Sequence, residues 1–151
     1  MKIKVMVDTN VLIYTFLDID MPQKQNIKEL FEASNRFQYV TTTRIIDEVI
    51  FKLVIISSGK KLKQLKKDRE LLEKQTSIIT MIKNFLKDFN FKVYEIKEKH
   101  YWKMIDIIKE YGLLGNDALT MAIMKENNLK YVATFDNDFA DTYVENVLIY
   151  E

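Results

Sequence analysis

The chain has 151 residues, a length that suits one domain with its own core, and 23 basic against 22 acidic side chains leave a net charge of +1. That balance excludes a broadly basic nucleic-acid-binding surface, so any basic footprint must be local. There is no cysteine and a single histidine, His100, which excludes disulfides, thiolate catalysis, cysteine-ligated zinc and histidine-rich metal sites. A cation held by this chain must take oxygen ligands, and hard oxygen donors suit magnesium or manganese.

In chain order, residues 2–7 read as a buried strand, and residues 10–17 as a short helix that Thr9 or Asn10 can cap. Pro22 suits the first turn of a second helix, whose stripe is Ile27, Leu30, Phe31 and Ala33 and which ends near Asn35. Phe37 to Thr41 reads as a second strand. Thr42 and Thr43 can cap a helix from about Arg44 to Ser57, which Ser57-Ser58-Gly59 stops. A long helical segment follows over about 60–88, broken near Thr76-Ser77, basic in its first part and apolar in its second. Phe91 to Ile96 is a third strand, and Lys97 to Tyr111 a helix ended by Gly112. Leu113 to Asn116 reads as a loop, Asp117 to Asn127 as a helix, Lys130 to Thr134 as a fourth strand and Val147 to Tyr150 as a last short one. Strands alternating with helices predict an α/β fold: a mostly parallel central sheet flanked by helices, in one domain over residues 1–151. Asp8 interrupts the apolar N-terminus, and the apolar run from Val49 to Ile56 carries Lys52, so neither a secretory leader nor a membrane span is expected. A cytoplasmic location is the corresponding expectation.

Four acids have suggestive local settings. Asp8 follows the first strand, where ligands bind in open α/β sheets. Glu48 lies on the helix after the second strand, Asp117 opens a helix, and Asp136 follows the fourth strand with Asp138 two residues on. Strand ends and helix starts on one side of a parallel sheet meet in space, so these acids can share a pocket. Carboxylates held together raise one another's pKa, and a divalent cation removes the conflict. Such a cation can activate a water and polarise a phosphoryl oxygen, which points to phosphate-ester chemistry. Each acid also has a plain reading. Asp117 suits a helix N-cap, Asp8 a turn, Glu48 a solvated helix face on which Asp47 competes for any role, and Asp136 and Asp138 an Asx-type turn.

Four fragments, in order, carry a family resemblance: Val7-Asp8-Thr9-Asn10-Val11-Leu12, Thr42-Thr43-Arg44-Ile45-Ile46-Asp47-Glu48-Val49, Gly115-Asn116-Asp117-Ala118-Leu119 and Ala133-Thr134-Phe135-Asp136-Asn137-Asp138-Phe139. Together they resemble the PIN-domain family, including the ribonuclease toxins of the VapC type. The resemblance implies a three-layer PIN-like sandwich and a Mg²⁺- or Mn²⁺-dependent endoribonuclease acting on RNA. It matches Asp8, Glu48, Asp117 and Asp136 to the family's metal-site acids, with Glu48 direct or through water, and Asp138 to a further acid. It matches Asn10 and Thr134 to supporting polar positions. It implies an antitoxin protein as a partner if the chain is such a toxin, and is compatible with a homodimer. The segment at 60–88 is larger than in the smaller toxins. A non-catalytic PIN-like module that binds RNA or protein is the alternative. It is expected to lack two or more of the acids, whereas all four positions are filled here. A structure-specific DNA nuclease would need more chain.

Outside those fragments, the basic run Lys60, Lys61, Lys63, Lys66, Lys67 and Arg69 is a candidate RNA-backbone guide, with a solvated helix face as its plain reading. Trp102, beside His100 and Tyr101, is read as a packing residue, with base stacking as the alternative. Ile78, Ile82, Phe85 and Phe89 read as a helix-packing or dimer face.

Overall fold

Five strands, β1 (Ile3–Val7), β2 (Phe37–Thr42), β3 (Lys92–Tyr94), β4 (Tyr131–Ala133) and β5 (Glu145–Asn146), form one parallel sheet in a computed structural model that describes residues 1–148. The strand order is β3-β2-β1-β4-β5, with Val5 beside both Tyr39 and Tyr131, and Met6 beside both Val40 and Val132. Val5, Met6 and Val7 are fully buried, as a central strand covered on both faces requires. The order reverses between β1 and β4. At such a switch point the connections leave in opposite directions and open a crevice beyond the strands' carboxyl ends.

Among the described residues, eight helices connect and flank the strands: α1 (Thr9–Phe16), α2 (Gln23–Glu32), α3 (Thr43–Ser58), α4 (Leu62–Leu65), α5 (Arg69–Lys74), α6 (Thr76–Asp88), α7 (Glu98–Tyr111) and α8 (Gly115–Glu126). Local chemistry sets several of their ends. The Thr42 hydroxyl accepts from the Ile45 amide at 3.1 Å and starts α3, and Gly59, at φ 67°, takes the left-handed turn that ends it. Every residue of α8 from Ala118 to Met124 is buried, and all but Thr120 are apolar, so α8 forms part of the core rather than its cover.

The expected elements differ from the observed ones at several ends, with β3 shorter than Phe91 to Ile96 and α2 ending at Glu32 before Asn35, and four further differences matter more. Asp8, rather than Thr9 or Asn10, caps α1 by accepting from the Thr9 amide at 2.8 Å. The long segment at 60–88 is three helices. It breaks at Gln75, next to the expected break, and also at Asp68, whose carboxylate accepts from the Leu71 amide at 3.0 Å and starts a new helix. α8 begins at Gly115, two residues earlier than expected, with Leu114 at its N-cap. Asp117 therefore sits inside the first turn and is not the cap. The last strand is β5 at Glu145–Asn146, and residues 149–150 of the expected strand lie outside the described residues.

The 60–88 segment is fastened to the core mainly by α6. Ile78 and Ile82 are buried, and Phe85 and Phe89 close on Phe31 with ring centroids 5.1 Å apart in each case. Phe31 also meets Tyr39 at 5.0 Å, so helix packing is the role this stripe takes. α5 has no buried residue. No helix among the described residues is long and apolar enough to cross a membrane.

Candidate functional site

Asp8 ends β1 and is only 4 % exposed. One of its oxygens accepts from the Thr9 amide and the other from the Thr134 hydroxyl, each at 2.8 Å. Thr134 follows β4 across the switch point, so the hydrogen bond ties the ends of the two central strands. Asn10, in the first turn of α1, reaches the same strand end. Its Nδ2 donates to Asp136 Oδ2 at 3.0 Å, and its Oδ1 accepts from the Phe135 amide at 3.2 Å. Asp136 accepts in turn from the Asp138 amide at 3.3 Å, so the expected Asx-type turn is present.

Two helices deliver the remaining groups. α3 brings Glu48 and, one turn on, Lys52, whose Nζ lies 2.7 Å from Glu48 Oε1. α8 brings Asn116, which donates to Glu48 Oε2 at 2.6 Å and to the Thr9 hydroxyl at 3.2 Å, and Asp117. The positive φ of Gly115, 63°, bends the chain just before this pair, a turn that favours glycine. The result is a cleft of about 420 Å³ lined by all five candidate acids, Asp8, Glu48, Asp117, Asp136 and Asp138, together with Asn10. Lys52 is the one cationic side chain in that lining among the described residues.

The acids divide electrostatically. Burial, only partly offset by the hydrogen bonds from Thr134 and Thr9, pushes Asp8 up from 3.8 to about 6, and the charges of Asp136 and Glu48 add to the rise. Burial also raises Asp117, reinforced by the neighbouring carboxyls of Asp138, Asp8 and Asp136. Asp136 is raised by burial and by Asp138. Glu48 goes the other way. Its burial is outweighed by the hydrogen bonds from Lys52 and Asn116 and by the charges of Lys52 and Arg44. The cleft thus holds a cluster of carboxyls that resist ionising together beside one that is held ionised.

The donor chemistry fits a hard divalent cation, since every acid offers oxygen and the raised group would be relieved by positive charge. Among the described residues, no group of three or more His, Asp or Glu side chains is arranged to hold a metal ion as it stands.

Some expected residues stay outside. Lys60, Lys61, Lys63, Lys66, Lys67 and Arg69 lie on and around α4 and α5, all exposed, and none lines the cleft. Asp47 points to solvent and pairs with Arg44 at 3.6 Å, leaving the cleft to Glu48. Trp102 is 65 % exposed and does not pack in the core, contrary to the expectation from sequence. Its Nε1 donates to Glu98 at 3.3 Å. His100 is the residue that turns inward there. Its Nδ1 accepts from the Lys97 amide at 2.8 Å and its Nε2 meets Glu126, which closes the start of α7. A larger groove of about 990 Å³ between α7 and α8 contains Trp102 and none of the acids.

Four polar residues of this region carried no expected role in the cleft: Thr9, which was read only as a helix cap, Lys52, Asn116 and Asn146. Lys52 had a readable signal, the i,i+4 spacing to Glu48. Asn116 sits next to Asp117 and had only that adjacency. Asn146 had none, because its partner is Thr134, twelve residues away on another strand.

The family model described as PIN domain matches residues 5–145. Ribonuclease VapC2 of Methanocaldococcus jannaschii is 28% identical over 142 residues, covering 90% of this chain and 87% of that protein. Among solved structures, VapBC2 from Rickettsia felis bound to a promoter DNA fragment superposes with a TM-score of 0.61 at 16% identity, covering 95% of this chain and 98% of that one. A toxin–antitoxin complex from Klebsiella pneumoniae gives 0.55 at 20%, covering 93% and 95%. At those identities the superpositions establish the fold alone, a parallel sheet flanked by helices. With the family model spanning nearly the whole length and the acid-lined crevice at the switch point, the chain belongs to the PIN-domain family.

Proposed function

We propose that this chain is a divalent-cation-dependent endoribonuclease whose site is the acidic cleft at the β1–β4 switch point, with Mg²⁺ or Mn²⁺ as the cation. The observation that carries the reading is the convergence of Asp8, Glu48, Asp117 and Asp136, from four different elements, on one cleft. Family membership supports it, and so does the name of the archaeal relative, a ribonuclease. A non-catalytic module is disfavoured because no member of the acid set is missing.

On this reading Asp8, Asp117 and Asp136 hold the cation, with Asp138 at the margin. The bound cation would polarise a phosphoryl oxygen and lower the pKa of a water. Thr134 and the Thr9 amide fix both oxygens of Asp8, so this carboxylate is oriented before any ligand arrives. Asn10 fixes Asp136 in the same way. Glu48, ionised and held by Lys52 and Asn116, would orient the attacking water and accept its proton at Oε1 or Oε2.

RNA is the proposed substrate, and the exposed basic run on α4 and α5 is its proposed outer guide. An antitoxin protein is the proposed regulatory partner, supported by the likeness to a chain from a toxin–antitoxin complex. The protein would then work in the cytoplasm. The test is incubation with a mixed RNA pool in Mg²⁺ or Mn²⁺, for the wild type and for Asp117→Asn. Cation-dependent cleavage that Asp117→Asn loses is expected, and an inert wild type in both cations would overturn the reading.

A further inference from the structure

Thr134 is 1 % exposed, and each of its polar atoms has an identified partner. Its hydroxyl donates to Asp8 Oδ2 at 2.8 Å and accepts from the Asp136 amide at 3.3 Å and from Asn10 Nδ2 at 3.4 Å. It is therefore the hub that joins two of the cleft's acids. A hub of this kind works only if its own backbone is held, because a rotation of the Thr134 peptide carries the hydroxyl away from Asp8.

On the β1 side the Asp8 amide donates to the Ala133 carbonyl at 3.0 Å, but on the β5 side what holds that peptide is not the sheet. The β4–β5 ladder gives backbone bonds from Glu145 N to Lys130 O and from Val147 N to Val132 O, each 2.8 Å, and both lie before Thr134. At Thr134 a side chain takes over. Asn146 Nδ2 donates to the Thr134 carbonyl at 2.9 Å, and Asn146 Oδ1 accepts from the Thr134 amide at 3.3 Å. The primary amide thus imitates a strand peptide, with a donor and an acceptor facing the two groups of one residue. The same Oδ1 accepts from the Leu148 amide at 3.1 Å, which fixes the side chain against its own backbone.

We propose that Asn146 is a positioning residue of the acidic cleft: its amide fixes the Thr134 peptide and, through the Thr134 hydroxyl, sets the orientation of Asp8 and the Asp136 loop. The residue type follows from the geometry. Aspartate would set a carboxylate oxygen against the Thr134 carbonyl, and serine would reach one group only. Alanine would leave both backbone groups of a buried residue without these partners. The effect on catalysis rests on the proposed nuclease reading, whereas the effect on cation binding does not need RNA.

The experiment is a double-mutant cycle on the full chain with Asn146→Ala, Thr134→Val and the pair, read by Mn²⁺ titration calorimetry and by RNA cleavage in Mn²⁺. Outer partners of metal ligands are worth roughly 10–100-fold in affinity or activity. Asn146→Ala is expected to weaken Mn²⁺ binding about tenfold at that scale and to lower kcat with KM little changed. In the Thr134→Val background, where no hydroxyl remains to be aimed, it is expected to change neither. Equal losses in both backgrounds would mean a general structural role and overturn the proposal, as would full affinity and turnover in the single variant. A wild type that binds no Mn²⁺ also overturns it. A wild type that binds Mn²⁺ and leaves RNA intact overturns the nuclease reading instead, and the calorimetric cycle still decides the role of Asn146.

Discussion

Lys52 Nζ lies 2.7 Å from Glu48 Oε1, inside a cleft whose other charged residues are carboxylates. The pair makes Glu48 unlike its neighbours. It is held ionised while the aspartates resist ionising together, so the cleft carries an electrostatic demand for positive charge beside one carboxylate that already has it.

Removing that ammonium makes the first prediction. Lys52→Met deletes the one positive charge in the lining, and a divalent cation should then enter against less repulsion. At separations of several ångströms in a partly solvated cleft the gain is about three- to tenfold in Mn²⁺ affinity. Titration calorimetry at low salt reads it directly, and unchanged or weaker binding contradicts the electrostatic account. Glu48 should also lose its downward shift, moving the acid limb of any cleavage profile to higher pH.

The pH dependence of stability without cation follows from Asp8. Its folded pKa of about 6 lies above the ordinary 3.8, so the folded state holds the proton more tightly than the unfolded chain. That stabilisation is complete below about pH 4 and is lost as pH rises through about 6, a change of roughly 3 kcal/mol for a two-unit shift. Asp117, also raised, acts in the same direction. Glu48, whose pKa is lowered, contributes stability that is lost only as pH falls below the ordinary glutamate range, so it does not oppose the trend at higher pH. In EDTA, Tm should fall by roughly 5–10 °C between pH 5 and pH 8. Added Mn²⁺ should restore it at pH 8 and do little at pH 4.5. A Tm that rises across that interval in EDTA contradicts the prediction.

Asp8→Asn should separate folding from chemistry. The amide removes a buried charge, so the cation-free variant should melt at a higher temperature than wild type at pH 8. Active-site acids commonly reduce stability in this way. A melt lower than wild type by several degrees would show that the carboxylate, rather than its burial, dominates the local energetics.

The aromatic cluster tests how the 60–88 segment is fastened. Phe31 meets Tyr39, Phe85 and Phe89, and its removal leaves a cavity that two helices and a strand would have to refill. Phe31→Ala should cost about 3–5 kcal/mol in urea unfolding. A loss below about 1 kcal/mol, the scale of a surface change, would mean that α6 is held by other contacts.

The basic run is separable from the cleft. Charge reversal at Lys63, Lys66 and Lys67 should weaken RNA binding and flatten its dependence on salt, with turnover at saturating RNA unchanged. A salt series in which wild type and variant coincide would confine those lysines to solvation.

Features of this fold governed by short-range chemistry were legible in the sequence. β1 announced itself by an apolar run broken at Asp8, α3 by Thr42 at its start and Gly59 at its end, and α7 by its stop at Gly112. The break at Asp68 was equally local, a carboxylate competing for backbone amides, but the helical pattern around it hid the signal. Trp102 was misread for a different reason. α7 carries apolar residues on two faces, and periodicity does not say which is covered. His100 and Ile107 turn inward, with Met104 and Tyr111 packed against the core, whereas Tyr101, Trp102, Ile105 and Ile108 stay exposed. In the cleft, Asp8, Asp117 and Asp136 could be read because each follows a strand or opens a helix, and Glu48 through the fragment Thr42 to Val49. Their supports could not. Asn116 reaches Glu48 across 68 residues and Asn146 reaches Thr134 from another strand, contacts that exist only once the sheet is assembled.

The most direct test of the central claim is cleavage of a mixed RNA pool by wild type and Asp8→Asn, each in Mn²⁺ and in EDTA, with circular dichroism confirming that both are folded. The account predicts cleavage by wild type in Mn²⁺ alone, and none by Asp8→Asn under either condition. Cleavage that persists in EDTA, or a fully active Asp8→Asn, would contradict it.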